Sequence, residues 1–479
     1  MDKFIRYRDS SDVLERHPVH VVWETTLACN LKCSHCGSRA GKKRRDELNT
    51  TESLNLIDEL SRLGTREITF IGGEAFMRAD WVELVAHATG LGIRTALQTG
   101  GYRFDRKKAE KVAAAGLSTA GVSIDGLQKR HDKLRGVSGS YDSAINALRC
   151  LREVGISTSV NTQITSGSFD DLPTLFDLLC FENILAWQVQ LTVAMGNAAD
   201  DPTLLIQPYE LLTLMPILDD IQKLAKFRNV TFTPGNNIGY YGPYEHSWRR
   251  NLFTYGYWDG CSAGETTMGI EADGTIKGCP SLPTSSYRAG NVRETRLADI
   301  WESREIISAG SRRVDNRTWG YCGSCYYSDV CRAGCTWTSH VLLDKPGNNP
   351  YCHYRALQLD RRGLREEIHK VTDATGKPFD HGLFEIRVID DTGNIVRVER
   401  SSDDLPSMEP NAGSNRNSPT SPLVVCQSCD EYRYEIDSEC PHCGFQHDGR
   451  EPSVEAVANI MKYSLSRYMA ATYKSKEDR

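Results

Sequence analysis

Short apolar runs rich in β-branched residues alternate with amphipathic segments from residue 17 to about residue 200. The runs predict strands, and the segments between them, with apolar residues three and four positions apart, predict helices. The repeated strand–helix pattern predicts an α/β fold with a parallel sheet and right-handed crossovers. The predicted strands are His20–Thr25, Glu67–Ile71, Ile93–Thr99, Thr119–Ile124, Ser157–Ile164 and Trp187–Val193. The predicted helices are Thr51–Leu63, Trp81–Gly90, Arg106–Ala115, Tyr141–Val154 and Asp170–Leu179.

These strands are too few to close an eight-stranded barrel, so we expect an open, curved sheet. Polar residues end or follow each predicted strand, and parallel strands bring their carboxyl ends to one edge of the sheet. We therefore expect a single mouth that gathers these residues into an active site. They are residues 29–36, Gly72, Gly73, Glu74, residues 99–101, Ser123, Asp125, Asn161, residues 162–163 and Gln190.

The rest of the chain divides by composition. Glu385–Arg400 predicts a hairpin around a turn at 391–394, and a helix pattern covers Val454–Tyr473. Residues 401–422 are rich in Ser, Asp, Pro and Asn, which predicts a disordered linker. The resulting division is an amino-terminal arm (1–16), a barrel (17–200), a helical connector (201–250), a cysteine-rich domain (251–370), a hairpin with linker (371–422) and a carboxyl-terminal module (423–479).

Charge and cysteine content narrow the possible functions. The 479 residues carry a formal net charge of −6, which argues against a broad nucleic-acid-binding surface. No apolar run could span a membrane and no signal peptide is evident, so we expect a cytoplasmic protein without membrane association. The basic run at 42–45 is expected to be a solvated loop. In a reducing cytosol, sixteen cysteines indicate metal sites rather than disulfides. Cys150 and Cys180, which lie outside the clusters, are expected to be core residues.

The first cysteine group is Cys29, Cys33 and Cys36, with the spacing C-x3-C-x2-C. Three thiolates hold three irons of a cubic 4Fe–4S cluster and leave the fourth iron open to a substrate. The alternatives are three unrelated thiols or a zinc knuckle, because zinc usually takes four ligands and His35 lies within the same loop. The motif alone leaves all of these interpretations open.

The motif Gly72-Gly73-Glu74 follows a strand one β-α unit later. Together the two motifs resemble those of the radical S-adenosylmethionine (radical SAM) superfamily, whose members share a partial (β/α)6 barrel. The resemblance implies a SAM molecule chelated by the open iron and a GGE motif that holds its amino group, with Glu74 as the acceptor. It also implies that Ser123 and Asp125 contact the ribose.

The other contacts to SAM are expected from the same resemblance. His35 takes the place of an aromatic residue near the adenine, and Asn161 and Gln190 lie where the mouth would complete the site. The alternatives are structural: a Gly-Gly pair is common in turns, and Ser123 and Asp125 could cap one.

The second cysteine group consists of Cys261, Cys279, Cys322, Cys325, Cys331, Cys335 and Cys352. Its spacing resembles the seven-cysteine pattern of the SPASM domain, and several zinc sites are the alternative. The resemblance implies two auxiliary 4Fe–4S clusters, an outer one with four ligands and an inner one with three. Related enzymes have a further cysteine upstream of this group, whereas residues 253–260 contain none. We therefore expect the last iron of the inner cluster to be open, or to be bound by Asp259 or another group. The outer ligands would be Cys322, Cys325, Cys331 and Cys352, and the inner ones Cys261, Cys279 and Cys335.

The third cysteine group has the paired C-x2-C spacing of a zinc ribbon. Four thiolates form a closed, structural site, and the metal would supply the folding energy of so small a module. A rubredoxin-like iron site is the alternative. Acidic neighbours disfavour nucleic acid as its partner, and docking of a peptide or protein is a possible role. The four ligands are Cys426, Cys429, Cys440 and Cys443.

The resemblance implies radical chemistry initiated by reductive cleavage of SAM, with an external electron donor such as flavodoxin or ferredoxin. Many SPASM enzymes act on peptides or proteins, so the leading hypothesis is a crosslink, a thioether or a side-chain oxidation in a ribosomally made peptide. The competing hypotheses are a radical SAM dehydrogenase of a small molecule and a non-catalytic, metal-stabilised binding protein. The sequence does not name the substrate or the hydrogen abstracted.

Overall fold

The structure is a computed structural model of the chain. It describes residues 12, 15–249, 256–303, 305–306 and 318–400, together with 423–446 except 430, 436 and 444. Most of the expected amino-terminal arm, the linker at 401–422 and the helix at Val454–Tyr473 lie outside the described residues.

A ten-stranded sheet forms the centre of the molecule. In spatial order its strands are β10 (Gly290–Asn291), β9 (Thr275–Lys277), β8 (Thr267–Ile270), β1 (His20–Glu24), β2 (Glu67–Ile71), β3 (Arg94–Thr99), β4 (Thr119–Ser123), β5 (Ser157–Ile164), β6 (Ala186–Leu191) and β7 (Thr231–Pro234). Strands β1 to β7 pair in parallel. The six predicted strands lie within two residues of their expected bounds, so the α/β fold with a curved, partial barrel is confirmed. The parallel strands are β1 His20–Glu24, β2 Glu67–Ile71, β3 Arg94–Thr99, β4 Thr119–Ser123, β5 Ser157–Ile164, β6 Ala186–Leu191 and β7 Thr231–Pro234.

Helices pack on the outer face of these strands. Along β5, Val160, Thr162 and Ile164 are buried beneath the helices, whereas Asn161 and Gln163 alternate with them and are only half-buried. The inner face of the barrel is therefore polar. The helices around the barrel are α1 Thr50–Arg62, α2 Trp81–Gly90, α3 Arg106–Ala114, α4 Gln128–Arg135, α5 Ser140–Glu153 and α6 Asp171–Phe181.

The expected helical connector also contributes to the sheet. Helix α7 (Asn197–Asp200) comes just before the connector, which carries α8 (Leu211–Phe227), and then Thr231–Pro234 pairs with β6 as strand β7. The sequence analysis predicted no strand here, because four residues that end in proline give a weak strand pattern. The barrel therefore has one more parallel strand than expected.

The cysteine-rich domain extends the opposite edge of the sheet. Strand β8 (Thr267–Ile270) pairs in parallel with β1, and β9 (Thr275–Lys277) and β10 (Gly290–Asn291) follow in antiparallel order. This pairing ties the domain directly to the first strand of the barrel. Helix α9 (Glu245–Arg249) precedes this domain. The helices within it are α10 Thr284–Tyr287, α11 Leu297–Trp301, α12 Gly320–Gly323, α13 Ser328–Cys331, α14 Thr336–Leu343 and α15 His353–Asp360.

A three-stranded antiparallel sheet follows this domain. The predicted hairpin is confirmed as β12 (Leu383–Asp390) and β13 (Ile395–Glu399). A third strand that was not predicted, β11 (Leu364–Thr372), pairs with β12 and crosses the expected domain boundary at 370. Its mixture of charged and apolar residues did not show the alternation of a half-buried strand.

The carboxyl-terminal module is a small two-stranded ribbon. Its strands are β14 (Leu423–Val425) and β15 (Tyr432–Tyr434), and its four cysteines are buried together. Within the described part of the chain, no helix has both the length and the apolar character required to cross a bilayer.

Candidate active site

The first cysteine loop follows β1 directly, at the carboxyl edge of the sheet. Backbone N–H groups point at its sulfurs: Leu31 donates to Cys29 Sγ over 3.4 Å, and Ala40 donates to Cys36 Sγ over 3.3 Å. Burial, with the nearby charges of Glu74 and the other two thiols, raises the pKa of Cys29 to about 12. Thiolates gathered in such a site require a bound cation, so the loop fits an iron–sulfur cluster.

The two glycines of the GGE motif are required by the close approach of β2 to this loop. A Cβ atom on Gly73 would lie 2.3 Å from the Ala28 carbonyl oxygen and 2.8 Å from Cys29 Cβ. The same approach brings backbone hydrogen bonds: Gly73 N–H donates to Thr26 O over 2.7 Å, and Glu74 N–H donates to Ala28 O over 2.8 Å. The motif therefore fixes the position of the cysteine loop.

The Glu74 carboxylate is buried and joins the ends of β2 and β3. It accepts hydrogen bonds from Thr99 Oγ1 over 2.5 Å and from Gly100 N–H over 2.6 Å. Burial raises the pKa of Glu74 to about 7, against the opposing effect of these hydrogen bonds. Each carboxylate oxygen has a further lone pair that is available to another donor. The contact of Glu74 with the SAM amino group stays a prediction.

A buried charge network links the fourth strand to the first cysteine loop. Asp125 Oδ2 lies 2.6 Å from Arg135 Nη2 and 3.3 Å from His35 Nε2, and Arg135 Nη1 donates to Cys33 Sγ over 3.7 Å. Burial alone would raise the pKa of Asp125, but Arg135 and His35 hold it well below its usual range. The Asp125 carboxylate therefore holds the Arg135 guanidinium beside Cys33, a predicted cluster ligand.

Ser123 and Asp125, the residues predicted to contact the SAM ribose, lie near this charge network. The structure does not test that role. Ser123 ends β4 and is half-buried beside its register partner Asn161, whereas Asp125 lies just beyond the strand and is committed to His35 and Arg135. The predicted contacts of Ser123, Asp125, Asn161 and His35 with SAM stay predictions.

Amide side chains line the inner face of the barrel near this network. Asn161 Nδ2 donates to Gln98 Oε1, and Gln163 stands beside Gln190 in the β5–β6 register. Gln98 and Arg135 were missed by the sequence analysis. The alternation of β3 would have placed Gln98 on the inner face, whereas Arg135 lies on a helix with no motif to single it out.

The four predicted ligands of the outer auxiliary cluster converge. Together they line one pocket with aromatic residues, including Tyr241 and Tyr327. Burial raises the pKa of Cys352 to about 12, and the charge of Cys322 adds to the rise. These four cysteines therefore also require a bound cation in order to be thiolates. The converging residues are Cys322, Cys325, Cys331 and Cys352.

A buried arginine supports this outer site from the sheet β11–β13. Arg355 Nη1 lies 4.0 Å from Cys322 Sγ, and the guanidinium bonds to Glu366 over 2.6 Å and lies 3.0 Å from Glu399. The carboxylates come from β11 and β13, so the sheet positions a cation beside the predicted cluster. Hydrogen bonds to the ligand sulfurs, like this one from Arg355 to Cys322, are among the features that set the reduction potential of an iron–sulfur cluster.

The structure relates two of the three predicted ligands of the inner cluster to each other. Burial raises the pKa of Cys279 to about 11, and the charge of Cys335 contributes to the rise, which indicates that these two thiols are neighbours. Cys261 Sγ accepts the N–H of Ala263 over 3.4 Å, a geometry like that of the first loop. The role of Asp259 as a fourth ligand stays a prediction.

The four ribbon thiols form a closed site. The Sγ atoms of Cys426 and Cys443, and those of Cys429 and Cys440, are each 3.8 Å apart. A tetrahedral zinc ion with Zn–S bonds of about 2.3 Å separates its ligands by about 3.8 Å. The geometry therefore fits a structural metal site.

The ribbon packs against the wall of the outer auxiliary site. Tyr327, in this wall, stacks on Tyr241 at a centroid distance of 3.9 Å. The Tyr327 hydroxyl donates to the Tyr432 carbonyl of the ribbon, and His442 Nε2 lies 2.8 Å from the same hydroxyl. Tyr434 N–H donates to Tyr326 Oη over 2.8 Å. This face of the ribbon is therefore occupied by the chain itself.

A second charge network corrects one expectation. The basic run at 42–45 was expected to be solvated, but Arg44 Nη2 lies 3.2 Å from Glu24 and 3.0 Å from Glu271. The fully buried Lys277 Nζ lies 2.8 Å from Glu271. Burial raises the pKa of Glu24 to about 8, although Arg44 opposes the rise. For Arg44 the expectation was wrong, because its partners lie on β1 and in the cysteine-rich domain, which it joins.

Comparison with known proteins agrees with this geometry. A family model described as the radical SAM superfamily matches residues 23–179, and the SPASM iron–sulfur cluster-binding domain matches residues 261–326. The chain belongs to the radical SAM superfamily and carries a SPASM domain. The enzymes of this family use SAM and 4Fe–4S clusters, and the cysteine groups described above fit these cofactors.

Similar proteins act on different kinds of substrate. An AdoMet-dependent heme synthase of Oleidesulfovibrio alaskensis is 32% identical over 351 residues, covering 70% of this chain and 87% of that protein. The mycofactocin maturase MftC of Mycolicibacterium smegmatis is 27% identical over 346 residues, covering 70% and 82%. Streptococcus suis SuiB, solved with its precursor peptide SuiA, has a TM-score of 0.54 at 21% identity, covering 70% of this chain and 75% of SuiB. The last similarity shows the fold alone.

Proposed function

We propose that this radical SAM enzyme modifies a peptide or protein, forming a crosslink or thioether or oxidising a side chain of a ribosomally made peptide. The amide lining of the barrel is the observation that carries the proposal. Gln98, Asn161, Gln163 and Gln190 present donors and acceptors on neighbouring strands. Amide groups match the N–H and C=O groups of a peptide backbone without requiring charge.

The charges around the mouth support the same conclusion. Arg39 pairs with Asp200 and Asp380, Arg44 with Glu24 and Glu271, and Arg135 with Asp125. Each of these cations is already neutralised by the chain. A substrate with several carboxylates would compete with these pairs, whereas a neutral peptide segment would not.

A tetrapyrrole is the second candidate substrate. The heme synthase relative favours it, because that protein shares more identity with this chain than the mycofactocin maturase does. The paired cations described above argue against it. The small-molecule dehydrogenase expected as an alternative has no further support in the structure.

The proposed roles of the chain's residues follow from their positions. Cys29, Cys33 and Cys36 would hold a 4Fe–4S cluster, which with SAM bound and an electron from flavodoxin or ferredoxin supplies a 5′-deoxyadenosyl radical. Arg135 would hold the Cys33 side chain in position, and Glu74 would hold the first cysteine loop in position. The barrel would exclude water from the active site. The ribbon thiols would bind zinc.

Coexpression with candidate substrates tests the proposal. The chain is produced anaerobically with each short reading frame adjoining its gene, and the peptides are analysed by mass spectrometry. A parallel reaction contains SAM, dithionite and iron coproporphyrin III. The proposal expects a peptide mass change that disappears in Cys33→Ser. A change in the porphyrin mass with unmodified peptides would contradict the peptide proposal and favour the tetrapyrrole.

The same reactions test the non-catalytic alternative. A metal-stabilised binding protein predicts no 5′-deoxyadenosine in any reaction, whereas either enzymatic proposal predicts its formation.

A further inference from the structure

Three side chains that bind metals well in other proteins meet outside the cysteine groups. His340 lies on α14, Asp344 follows that helix, and His381 lies in the loop before β12. The potential ligand atoms of the three residues all lie within 4.8 Å of one another. His340 is buried, His381 is partly buried, and the Asp344 side chain is 60% exposed, which leaves a path from solvent.

The distances match those between ligands of one metal ion. His340 Nε2 lies 3.4 Å from Asp344 Oδ1, and His381 Nε2 lies 3.6 Å from the same oxygen. A tetrahedral ion with bonds of about 2.1 Å separates neighbouring ligand atoms by about 3.4 Å. Both contacts are longer than a well-formed hydrogen bond between imidazole and carboxylate.

The hydrogen bonds of the two imidazoles point to the same conclusion. His381 Nδ1 lies 2.8 Å from the carbonyl oxygen of Gly382, which only accepts, so Nδ1 carries the proton. The other ring nitrogen, Nε2, therefore faces the Asp344 carboxylate. His340 Nε2 is buried without a hydrogen-bond partner. A cation between these atoms would satisfy all three groups.

The surroundings resemble the support that metal-binding histidines usually have. His340 Nδ1 lies 3.1 Å from the Tyr287 hydroxyl, and His381 Nδ1 is fixed by Gly382. Such outer hydrogen bonds orient the rings so that Nε2 faces the ion. Both imidazoles are therefore held in place before any metal binds.

We propose that His340, Asp344 and His381 form a binding site for a divalent transition-metal ion, separate from the cysteine sites. Two imidazoles and one carboxylate suit Zn²⁺ or Fe²⁺ and leave at least one coordination position open. The open position would accept an oxygen or nitrogen ligand. This inference does not depend on the peptide proposal.

The site lies beside the barrel mouth. His381 forms an isolated β-bridge with Met195, whose side chain is near Gly37 in the first cysteine loop. His340 lies five residues after Cys335, a predicted ligand of the inner cluster. A ligand on the open position would therefore be held close to two predicted cluster loops.

Metal counting tests the site directly. Full-length protein with reconstituted clusters is dialysed anaerobically against buffered Zn²⁺ or ⁵⁷Fe²⁺, and bound metal is measured by mass spectrometry. The variants are Asp344→Ala, which changes an exposed residue, and His381→Ala; His369→Ala on β11 is the matched control. We expect each variant to lose about one bound ion per chain, or to bind it at least about tenfold more weakly, and the control to retain it.

Spectroscopy separates this site from the clusters. With ⁵⁷Fe²⁺, a high-spin ferrous Mössbauer doublet should be present in wild type and His369→Ala and absent from Asp344→Ala and His381→Ala. Cluster iron and SAM cleavage should be unchanged in these variants. The proposal would be overturned if wild type, Asp344→Ala, His381→Ala and His369→Ala bound the same amount of metal with the same affinity, for both Zn²⁺ and ⁵⁷Fe²⁺.

Discussion

The guanidinium of Arg135 lies 3.7 Å from Cys33 Sγ and is held there by the ionised carboxylate of Asp125. The contact joins the carboxyl end of α4 to the first cysteine loop. Three elements of the barrel therefore determine the position of a predicted cluster ligand: the loop after β1, the end of β4 and helix α4.

Replacing Arg135 with Gln should destabilise the protein strongly. The substitution leaves Asp125 buried without its cation, and breaking a buried pair costs about 3 kcal/mol or more. The free energy of unfolding, measured by urea denaturation, gives the loss. Arg106→Gln breaks only exposed pairs, with Glu110 and Glu153, and should cost much less. Equal losses in the two variants would contradict the role given to Arg135.

Gly73→Ala should displace the first cysteine loop. The new Cβ would lie 2.3 Å from the Ala28 carbonyl oxygen, so the loop must move, at a cost of about 1–3 kcal/mol. We expect less iron in the SAM-binding cluster and unchanged auxiliary clusters by anaerobic iron counting. Gly90→Ala on α2 is the matched control, because no atom lies within 4 Å of its added Cβ. A full SAM-binding cluster in Gly73→Ala would refute the steric argument.

Glu74 should make stability depend on pH. Its pKa is raised to about 7 by burial, from an unfolded value near 4.5, so the folded state retains the proton to higher pH. Stability from the neutral carboxyl is present below pH 4.5 and is lost as pH rises through 7, by up to about 3 kcal/mol.

Urea denaturation between about pH 4.5 and about 8 measures this loss. Glu74→Gln should remove that part of the pH dependence, whereas Glu83→Gln, at an exposed position of α2, should retain it. A Glu74→Gln profile parallel to that of the wild type would contradict the assignment.

The ribbon should protect the outer auxiliary cluster. Its contacts with Tyr326 and Tyr327 lie on residues that adjoin Cys325 in the chain. Cys429→Ser, by weakening the predicted zinc site, should accelerate loss of cluster iron to a chelator severalfold without abolishing SAM cleavage, whereas the exposed Ser428→Ala should not. Equal rates in both variants would mean that the ribbon does not shield the cluster.

Deletion of residues 423–479 separates shielding from docking. Weaker peptide binding with intact clusters would support the expected docking role. Faster loss of iron at unchanged peptide affinity would support shielding alone.

The cysteine spacings and the β-branched runs made the barrel and its metal groups predictable, because both signals are local in the sequence. The supporting charges were not predictable in the same way. Arg355 has partners on β11 and β13, and Arg44 has partners on β1 and in the cysteine-rich domain, so only the folded topology brings these charges together. Strand β11 was missed because its pairing with β12, rather than its own pattern, determines its conformation.

The central claim is that the cluster on Cys29, Cys33 and Cys36 binds and cleaves SAM. The most direct measurement is electron paramagnetic resonance of the anaerobically reduced protein before and after SAM is added, with 5′-deoxyadenosine quantified in the same samples. We predict that SAM changes the signal of the reduced cluster and that 5′-deoxyadenosine forms in wild type and Cys180→Ser but not in Cys33→Ser. An unchanged signal, no 5′-deoxyadenosine and a metal content of zinc alone would contradict the account.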